Sequence, residues 1–441
     1  MKAGDLEGKK IAIWGLGREG KAAAEFLRAR FPELRLTFID ESTSPDKSIL
    51  AAGDVFAADI AASVDEADII VKSPGVSLYH PALQNARGKL TSLLNLWLAE
   101  PHAFKTVGVT GTKGKSTTAS LLAHTLNGLG KKAVLLGNIG VPVTQNQNID
   151  ADFAPPDFAV VEISSYQAAT LAEDFDIGIV TALYPEHLDW HRYLAAYYRD
   201  KLQLLAHSQT KIIGEQAFAI ARENDIAVAG THLFGETTGL HAEGTHIFDG
   251  VEDLGAPDNA YLARAHNLAN VCAVLAVIKQ LGLDPHAALR KMEDFRGLPH
   301  RQEEIGTRDG ILFVDDSIST TPQSAIAAME AYAGRAVTLL AGGFDRGIDY
   351  QPLVDYILAH KIHQVICMGP SGARIHAALR DAHAQNVRDA ENLQVAVVDA
   401  RRLTPVGGVI LLSPAAPSYG AFKNFEERGR AFRDFAGFNP S

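Results

Sequence analysis

Residues 107–117 read Val-Gly-Val-Thr-Gly-Thr-Lys-Gly-Lys-Ser-Thr, an apolar strand pattern that runs through a glycine-rich turn into a helix pattern. Glycines let such a turn curl until several N–H groups point inward, and the helix N-terminus adds positive potential. Lys115 is placed to reach terminal phosphates, and Ser116 or Thr117 to bind the associated Mg²⁺. Because Val109 replaces a glycine of the usual P-loop, this is a shortened phosphate loop; an ordinary strand–helix turn is the alternative. The predicted phosphate contacts are Gly111, Thr112, Lys113, Gly114, Lys115, Ser116 and Thr117.

The alternation of strand and helix patterns extends in both directions from this loop. Strands separated by helices predict βαβ units, hence an α/β fold with parallel sheets covered on both faces. Joints near residues 98 and 298 divide the chain into three predicted domains, 1–97, 98–298 and 299–441. The apolar strand patterns lie at residues 11–14, 36–39, 69–71, 107–109, 133–136, 158–161, 177–180, 311–314, 337–340, 365–368 and 409–412.

Composition excludes several classes of protein. Of the 441 residues, 47% are apolar and 21% charged, as in soluble globular proteins. Lys and Arg number 41 against 52 Asp and Glu, so with a formal charge of −11 we expect neither a nucleic-acid nor a membrane partner. Cys272 and Cys367, the only cysteines, exclude a disulfide framework and are predicted to be core thiols. Without a signal-peptide pattern or an apolar run of roughly 18 residues, we expect a cytoplasmic protein.

A second glycine-rich turn lies near the N-terminus, where Gly15-Leu16-Gly17-Arg18-Glu19-Gly20 follows a strand pattern and opens a helix pattern. Asp40 ends the next strand pattern, where dinucleotide enzymes have a ribose-binding acid. The same turn could hold the diphosphate of a nucleotide-sugar. A purely structural tight turn is a third alternative, and the turn alone does not decide among them.

Three residues further along have the chemistry of metal ligands or their neighbours. Glu162 ends an apolar strand pattern, where α/β sheets bind ligands, so its carboxylate suits a Mg²⁺ ion; a helix-capping acid is the alternative. His187 follows another strand pattern and is either a metal ligand or a solvated loop histidine. Lys201 lies in a helix pattern at residues 193–207, and its residue type says nothing more by itself.

Together these motifs resemble the Mur ligase family of peptidoglycan synthesis, over essentially the whole chain. The resemblance rests on the phosphate loop and on Glu162-Ile163-Ser164-Ser165-Tyr166-Gln167. Further matching segments are Gly137-Asn138-Ile139-Gly140, His266-Asn267 with Asn270, Leu298-Pro299-His300-Arg301 and Asp315-Asp316-Ser317. Segments similar to the glutamate-adding branch are the N-terminal turn, Ser73-Pro74-Gly75, Ser413-Pro414-Ala415 and Phe422-Lys423-Asn424-Phe425-Glu426-Glu427-Arg428-Gly429.

The resemblance implies an N-terminal Rossmann-like UDP-substrate domain, a central P-loop ATPase domain and a C-terminal Rossmann-like domain that closes over the site. It implies ligation of glutamate to UDP-N-acetylmuramoyl-L-alanine, driven by ATP through an acyl phosphate, in a cytoplasmic monomer with two Mg²⁺ ions. Lys115, His187 and Lys201 are the implied catalytic residues, with Lys201 carbamylated to bridge the metals.

The resemblance also assigns the other site residues. The implied metal ligands are Ser116, Glu162, His187 and Lys201. Implied ATP contacts outside the phosphate loop are Asn267, Asn270, Arg301 and Asp316. The UDP-substrate would contact Gly15, Gly17, Arg18, Glu19, Gly20, Asp40, Ser73, Pro74, Gly75 and Asn138. The incoming glutamate would contact Thr320, Arg346, Ser418, Tyr419 and Phe425.

The sequence departs from the family pattern mainly around the incoming amino acid. Arg346 stands where a lysine normally holds glutamate, and a planar guanidinium binds a carboxylate differently from an ammonium. Segments 316–321 and 415–420 also differ from the usual pattern. The clustering favours addition of L-glutamate, followed by an epimerase; D-glutamate is the alternative. A separate departure at Asp40-Glu41-Ser42 affects the predicted uracil contact.

Other classes explain fewer of these residues. A nicotinamide-dependent dehydrogenase would use only the N-terminal turn and Asp40, and would not explain the function of Lys115. A non-catalytic nucleotide-binding regulator would not need Glu162, His187 and Lys201 together. Folylpolyglutamate and cyanophycin synthetases share the middle domain but lack the N-terminal turn in this arrangement.

Overall fold

The computed structural model of the chain describes residues 1–42, 47–139, 143–144, 155–186 and 188–438. These residues form two compact units, Met1–Phe295 and Arg296–Ser441. Within them the first unit contains two sheets and the second unit one, each flanked by helices, so the predicted α/β class is confirmed. Over the same ranges, no helix combines the length and the apolar character that crossing a membrane requires.

The N-terminal sheet consists of parallel strands whose central strand, residues 11–14, is buried along its whole length. The strands are β1 (Ile11–Trp14), β2 (Leu36–Ile39), β3 (Val55–Phe56), β4 (Ile69–Lys72) and β5 (Leu90–Thr91), in the order β3-β2-β1-β4-β5. Its helices are α1 (Arg18–Arg30), α2 (Ile60–Glu66) and α3 (Leu93–Leu98). Trp14 pairs with both Ile39 and Lys72, so the loops after β1, β2 and β4 emerge together at the switch point where α/β sheets bind ligands.

The second sheet is parallel except at one edge. Its strands are β6 (Lys105–Thr110), β7 (Ala133–Gly137), β8 (Phe158–Glu162), β9 (Phe175–Val180), β10 (Ser208–Gly214), β11 (Thr231–Phe234), β12 (Leu240–Glu243), β13 (His246–Asp249) and β14 (Glu252–Gly255). They follow the order β14-β13-β12-β11-β10-β9-β6-β8-β7. The accompanying helices are α4 (Lys115–Gly128), α5 (Ser165–Ala168), α6 (Leu188–His191), α7 (Leu194–Ala206), α8 (Glu215–Glu223), α9 (Ala265–Gln280) and α10 (Pro285–Arg290).

The predicted parallel pairing extends to β12, which pairs parallel with β11, whereas β12 with β13 and β13 with β14 pair antiparallel. Short turns join these strands, with Gly244 and Gly250 both at φ 61°. Glycine adopts such a φ without steric cost, which allows adjacent strands to reverse in a tight hairpin.

The two sheets of the first unit share a hydrophobic core, in which Ile13 of β1 belongs to the same cluster as Val161 of β8 and Leu204 of α7. A further core, which contains Cys272, packs α4 and α9 against the second sheet. Cys367 is buried in the core of the second unit. The prediction that both cysteines are core thiols is therefore confirmed.

The second unit contains one mixed sheet, of which only the edge strand β15 (Glu303–Arg308) is antiparallel to its neighbour among the described strands. The other strands are β16 (Ile311–Asp315), β17 (Val337–Ala341), β18 (Gln364–Met368), β19 (Val387–Ala390) and β20 (Val409–Leu412), in the order β15-β16-β20-β17-β18-β19. Helices are α11 (Pro322–Glu330), α12 (Gln351–Ala359), α13 (Gly369–Asp381), α14 (Leu393–Leu403) and α15 (Phe425–Ala436). Leu412 pairs with Asp315 and Leu340, so the loops after β16, β17 and β20 emerge at one edge.

Candidate active site

The phosphate loop joins β6 to α4 and takes its shape from two glycines. Gly111 has φ 150°, and Gly114, the residue before α4, has φ 87°. A Cβ at Gly111 would lie 1.9 Å from Oγ1 of Thr181, and a Cβ at Gly114 would lie 2.4 Å from Oδ1 of Asn270. The loop thus runs so close to the end of β9 and to α9 that side chains at these two positions would clash.

Two buried asparagines of α9 lie beside the phosphate loop. Asn270 accepts a 3.2 Å hydrogen bond from the Thr118 hydroxyl of α4 and donates a 3.1 Å bond to Oδ1 of Asn267. Asn267 donates in turn to the carbonyl of Tyr261 at 2.8 Å. The structure therefore brings two predicted ATP contacts next to the predicted phosphate contacts, with both amides held in fixed orientations.

Glu162 ends β8 and is fully buried. Its Oε1 accepts a 3.0 Å hydrogen bond from Asn138, whereas Oε2 is buried without a hydrogen-bond partner. Leaving a buried acceptor unpaired costs roughly 1–3 kcal/mol, and more for a charged group. A cation beside Oε2 would remove that penalty. The alternative of a helix-capping acid is wrong, because the Ser164 hydroxyl caps the following helix α5.

Lys201 lies on α7 and is 2% exposed. Its Nζ donates a 2.6 Å hydrogen bond to the carbonyl of Gly111 and lies 5.3 Å from the ring centre of Tyr197. Burial and, to a smaller extent, the positive charge of Lys115 hold the pKa of Lys201 well below its ordinary value. The structure thus places this lysine against the phosphate loop, in surroundings that disfavour its charged form.

A cavity of about 270 Å³ is lined by residues from three of the predicted sets: the ATP contacts, the metal ligands and the UDP-substrate contacts. Lys115 and Lys201 face it from the phosphate-loop side, Asn138 from the loop after β7, and Glu19 and Pro74 from the N-terminal sheet. The remaining lining residues are Ser164, Ser165, Tyr166 and Gln167. Because phosphate-type, metal-type and UDP-type residues share this cavity, it is the candidate active site. The predicted metal ligand His187 lies outside the described residues.

The N-terminal turn is held by hydrogen bonds from the ends of two neighbouring strands. The carbonyl of Gly15 accepts a 2.8 Å bond from the Ser73 hydroxyl. The carboxylate of Asp40 accepts from the backbone N–H of Leu16 at 2.6 Å and of Ser42 at 2.8 Å. In this structure, Asp40 therefore supports the backbone of the turn.

The other predicted residues of the turn lie at the start of α1, which begins at Arg18 with Gly17 as its N-cap. A Cβ at Gly20 would lie 1.8 Å from the carbonyl oxygen of Gly15, so the helix packs directly on the turn. Glu19 points to the cavity and accepts a 2.5 Å hydrogen bond from Gln167. Gly75 is exposed in the loop that follows Pro74.

Sequence reasoning did not identify Lys72, the last residue of β4, as part of this region. It is 2% exposed, and its Nζ donates hydrogen bonds to the carbonyls of Val76 at 2.7 Å and Ser73 at 3.0 Å. Burial lowers its pKa to about 7, and Glu19 opposes that shift. The only sequence signal was a lysine at the end of an otherwise apolar strand.

A buried histidine was also missed. His191 lies 2.6 Å from Oδ2 of Asp200 through Nδ1 and 3.0 Å from the Ser165 hydroxyl through Nε2. Ser165 lines the cavity, and Asp200 is the residue before Lys201. The chain of three side chains thus links the cavity to the helix of Lys201. Nothing in the spacing of these residues distinguished them from solvated ones.

In the second unit, Asp316 follows β16 and is 2% exposed. Its carboxylate accepts hydrogen bonds from the Ser319 hydroxyl at 2.5 Å, the Ser413 hydroxyl at 2.6 Å and the backbone N–H of Gln302 at 3.1 Å. Burial raises its pKa to about 6, while these hydrogen bonds and the charge of Arg301 lower it. Nε of Arg301 is buried without a hydrogen-bond partner. Because the charge of Arg301 acts on the carboxylate of Asp316, these two predicted ATP contacts are neighbours.

The predicted glutamate contacts lie at the edge of the third sheet. Nη2 of Arg346 donates a 2.8 Å hydrogen bond to the carbonyl of Thr320. Tyr419 is 60% exposed and stands edge-on to Phe344, with ring centres 6.1 Å apart. All five predicted residues belong to segments that follow β16, β17 or β20: Thr320, Arg346, Ser418, Tyr419 and Phe425.

Comparison with family models matches three successive parts of the chain. Residues 9–94 match the model of the Mur ligase MurD-like N-terminal domain, residues 109–278 the Mur ligase middle domain, and residues 300–416 the Mur ligase glutamate ligase domain.

Similar proteins cover the full length of the chain. The chain is 38% identical to a protein of Xanthomonas euvesicatoria pv. vesicatoria, over 100% of this chain and 98% of that protein. It is 41% identical to one of Salinispora tropica, over 99% and 100% respectively. Both are named UDP-N-acetylmuramoyl-L-alanine--L-glutamate ligase.

Solved structures share the fold at lower identity. The UDP-N-acetylmuramate-alanine ligase MurC of Thermotoga maritima has a TM-score of 0.54 at 18% identity, covering 97% of this chain and 98% of that chain. The UDP-N-acetylmuramoylalanyl-D-glutamyl-2,6-diaminopimelate--D-alanyl-D-alanyl ligase of Acinetobacter baumannii has a TM-score of 0.56 at 16% identity, with coverage of 93% and 87%.

Proposed function

The chain belongs to the Mur ligase family, and from this premise we propose that it joins L-glutamate to UDP-N-acetylmuramoyl-L-alanine at the expense of ATP, in peptidoglycan precursor synthesis. The observation that carries the proposal is the cavity in which Lys115 and Lys201 meet Glu19 and Pro74. One cavity thereby places the Lys115 cation, suited to a nucleotide's phosphates, and the Lys201 amine beside predicted UDP-substrate contacts.

In the first step, an oxygen of the alanyl carboxylate attacks the γ-phosphorus of ATP, and the bond to the β,γ-bridging oxygen breaks to release ADP. Both reactants are anions, so they approach only where positive charge offsets their repulsion. Lys115 and the inward N–H groups of the phosphate loop would supply that charge and hold the phosphates in line. The product of this step is an acyl phosphate.

In the second step, the neutral amine of glutamate attacks the acyl carbon. The tetrahedral intermediate collapses with loss of inorganic phosphate, and the attacking nitrogen gives up a proton to leave an amide. Thr320, Arg346, Ser418, Tyr419 and Phe425 would position the glutamate.

The residues around the cavity fit a divalent cation. Asn138, which lines it, donates to Glu162, whose unpartnered Oε2 is a hard, buried oxygen ligand. Ser116, Glu162, His187 and carbamylated Lys201 would hold two Mg²⁺ ions. When bound, the ions would neutralise phosphate and carboxylate charge. A lysine with a depressed pKa has the free amine that carbamylation by CO₂ requires, which supports the modification of Lys201.

Asn270, which lies against Gly114 of the phosphate loop, and its hydrogen-bond partner Asn267 would flank the adenine nucleotide. Arg301 and Asp316 would contact its phosphates and ribose. We retain residues 1–97, 98–298 and 299–441 as the UDP-substrate, ATP and C-terminal domains. The protein would act in the cytoplasm as a monomer. If L-glutamate is the substrate, an epimerase would act on the product.

The test is release of ADP and phosphate with UDP-N-acetylmuramoyl-L-alanine and Mg²⁺, run separately with L- and D-glutamate, with the product mass measured in each. We expect ADP and a dipeptidyl product with L-glutamate alone. Turnover with D-glutamate alone would contradict the proposed isomer and keep the ligase. ADP release that does not depend on the UDP-substrate would contradict the ligase itself.

A further inference from the structure

Arg428 lies in the first half of α15 and is 2% exposed. Nε donates a 3.0 Å hydrogen bond to the Ser317 hydroxyl, and Nη2 donates to the carbonyls of Ser317 at 2.8 Å and Ala416 at 3.0 Å. The Ser317 hydroxyl donates onward to the carbonyl of Phe425 at 2.8 Å. The guanidinium is thus fixed by backbone and hydroxyl oxygens.

This buried cation has no acidic partner at ion-pair distance among the described residues. Asp315 attracts it only at longer range, and burial lowers the pKa of Arg428 to about 10. Nη1 is buried and has no hydrogen-bond partner. Removing a cation from water without a paired anion is costly, and such charges in proteins are usually paired. An unpaired guanidinium in this place therefore requires a reason beyond stability.

The position of Arg428 supplies that reason. We define the acceptor loops as residues 316–321, 342–347 and 414–419, which follow β16, β17 and β20. The guanidinium binds Ser317 in the first loop and Ala416 in the third. In the second loop, Nη1 lies 3.1 Å from the place where Gly343 would carry a Cβ. One side chain therefore contacts or closely approaches all three acceptor loops.

The acceptor loops also contain four of the five predicted glutamate contacts. The fifth is Phe425, whose carbonyl accepts a hydrogen bond from the same Ser317 hydroxyl that Arg428 contacts. Glutamate carries two carboxylates and is a net anion during binding. A fixed positive charge beneath the loops attracts such a ligand, and it is screened little because water is excluded from its surroundings.

We infer that Arg428 is a positioning residue for the incoming amino acid: it joins the acceptor loops and supplies the buried positive charge that favours an anionic acceptor. This inference rests on the proposed function. It assigns a role to a side chain that does not itself face solvent, acting through Ser317, Ala416 and Gly343.

The experiment compares Arg428→Met and Arg428→Lys with the parent enzyme, and uses Arg433→Met as the matched control. Arg433 lies on the same helix and pairs with Glu303 instead of the acceptor loops. For each protein, kcat and the KM values for glutamate, ATP and UDP-substrate are measured, together with thermal unfolding. We expect Arg428→Met to raise the glutamate KM at least tenfold with the other two KM values within twofold, and Arg428→Lys to recover part of the loss.

A second measurement separates positioning from a merely structural role. Hydroxylamine captures the acyl phosphate as a hydroxamate in the absence of glutamate, so its rate should be preserved in Arg428→Met while glutamate-dependent turnover falls. Equal losses of both rates, or an unchanged glutamate KM beside reduced stability, would overturn the inference. Should Arg428→Met fail to fold, Ser317→Ala, which removes the Nε acceptor and keeps the charge, must still raise the glutamate KM selectively.

Failure of the proposed function has a different signature. A parent enzyme that uses another anionic amino acid would refute the substrate, while a selective KM rise for that acceptor in Arg428→Met would still support the role of Arg428. If the parent shows no turnover, the affinity for glutamate is measured by calorimetry for the parent and for Arg428→Met. Equal affinities would contradict the inference.

Discussion

Lys201 donates a 2.6 Å hydrogen bond to the carbonyl oxygen of Gly111, although 90 residues separate them in the chain. The bond ties α7 to the first turn of the phosphate loop. Gly111 itself lies against Thr181, which follows β9. The loop is therefore held between α7 and the end of β9. The amine that would carry the carbamate is therefore fixed in place before any ligand binds.

Replacing Lys201 should remove activity and leave the fold. Lys201→Met keeps the buried stem but removes the amine, and we expect kcat to fall about 10²–10³-fold, the range for loss of one preorganised electrostatic group. Arg199→Met is the control, because Arg199 is exposed on the same helix. Intact-protein mass spectrometry under added bicarbonate should show the carbamate in the parent and not in Lys201→Met. Full activity of Lys201→Met would contradict the metal-bridging role.

The steric role of Gly114 can be isolated from its backbone conformation. Gly114 has φ 87° and Gly130 has φ 78°, but a Cβ at Gly114 would meet Asn270 at 2.4 Å, whereas one at Gly130 would meet nothing within 4 Å. Both alanine variants should lose about 1 kcal/mol of stability from the left-handed backbone. Only Gly114→Ala should also lower kcat/KM for ATP, by about 10²-fold, since the loop must shift. Equal ATP kinetics in the two variants would show that close packing on Asn270 is unimportant.

Short apolar runs predicted strands in all three sheets, namely β1, β2, β4, β6 to β9, β16 to β18 and β20, because burial on both faces leaves a continuous apolar pattern. Strands β3, β5, β10, β11, β15 and β19 were not predicted. The hairpins β12–β14 could not be recognised, since strands such as Leu240–Glu243 and Glu252–Gly255 are partly exposed and mix polar with apolar residues. Helix α1 begins at Arg18, within the N-terminal glycine-rich turn, because Gly20 lets its first turn pack on Gly15.

Residues of the candidate site were predictable where a strand end or a glycine turn marked them, as for Glu162 and Lys115. Lys201 was placed only by family resemblance, because a lysine within a helix has no local signal for burial. The same holds for His191 and Arg428, whose partners come from distant segments. Contacts of this kind depend on how the elements pack, and a single sequence does not contain that information.

Arg346 should determine how tightly the acceptor binds. Its guanidinium donates to the carbonyl of Thr320, a directional bond that a lysine ammonium would not reproduce with the same geometry. We expect Arg346→Lys to raise the KM for L-glutamate about tenfold, equivalent to one charged hydrogen bond, with an unchanged KM for ATP. Arg388→Lys, at an exposed position on β19, is the control. A lower KM for D-glutamate in Arg346→Lys would link this position to stereochemistry; no change for either isomer would remove it from the glutamate site.

Lys72 should make stability depend on pH in the alkaline range. Burial lowers its pKa from 10.5 to about 7 in the folded protein. Between these values the unfolded chain binds a proton that the folded chain does not, so this lysine makes stability rise with pH at up to about 1.4 kcal/mol per pH unit. Below pH 7 both states are protonated, and the full cost of burying the ammonium applies.

Lys72→Met removes that titration. The free energy of unfolding of Lys72→Met minus that of the parent should therefore be largest near pH 7 and decline by a few kcal/mol towards pH 10, as measured by urea unfolding at each pH. Buried tyrosines such as Tyr197 contribute equally in both proteins, so they cancel in this difference. Lys105→Met, at an exposed position, should show a much smaller pH trend. A difference that stays constant from pH 7 to pH 10 would mean that Lys72 remains protonated in the fold, with Glu19 as its effective counter-charge.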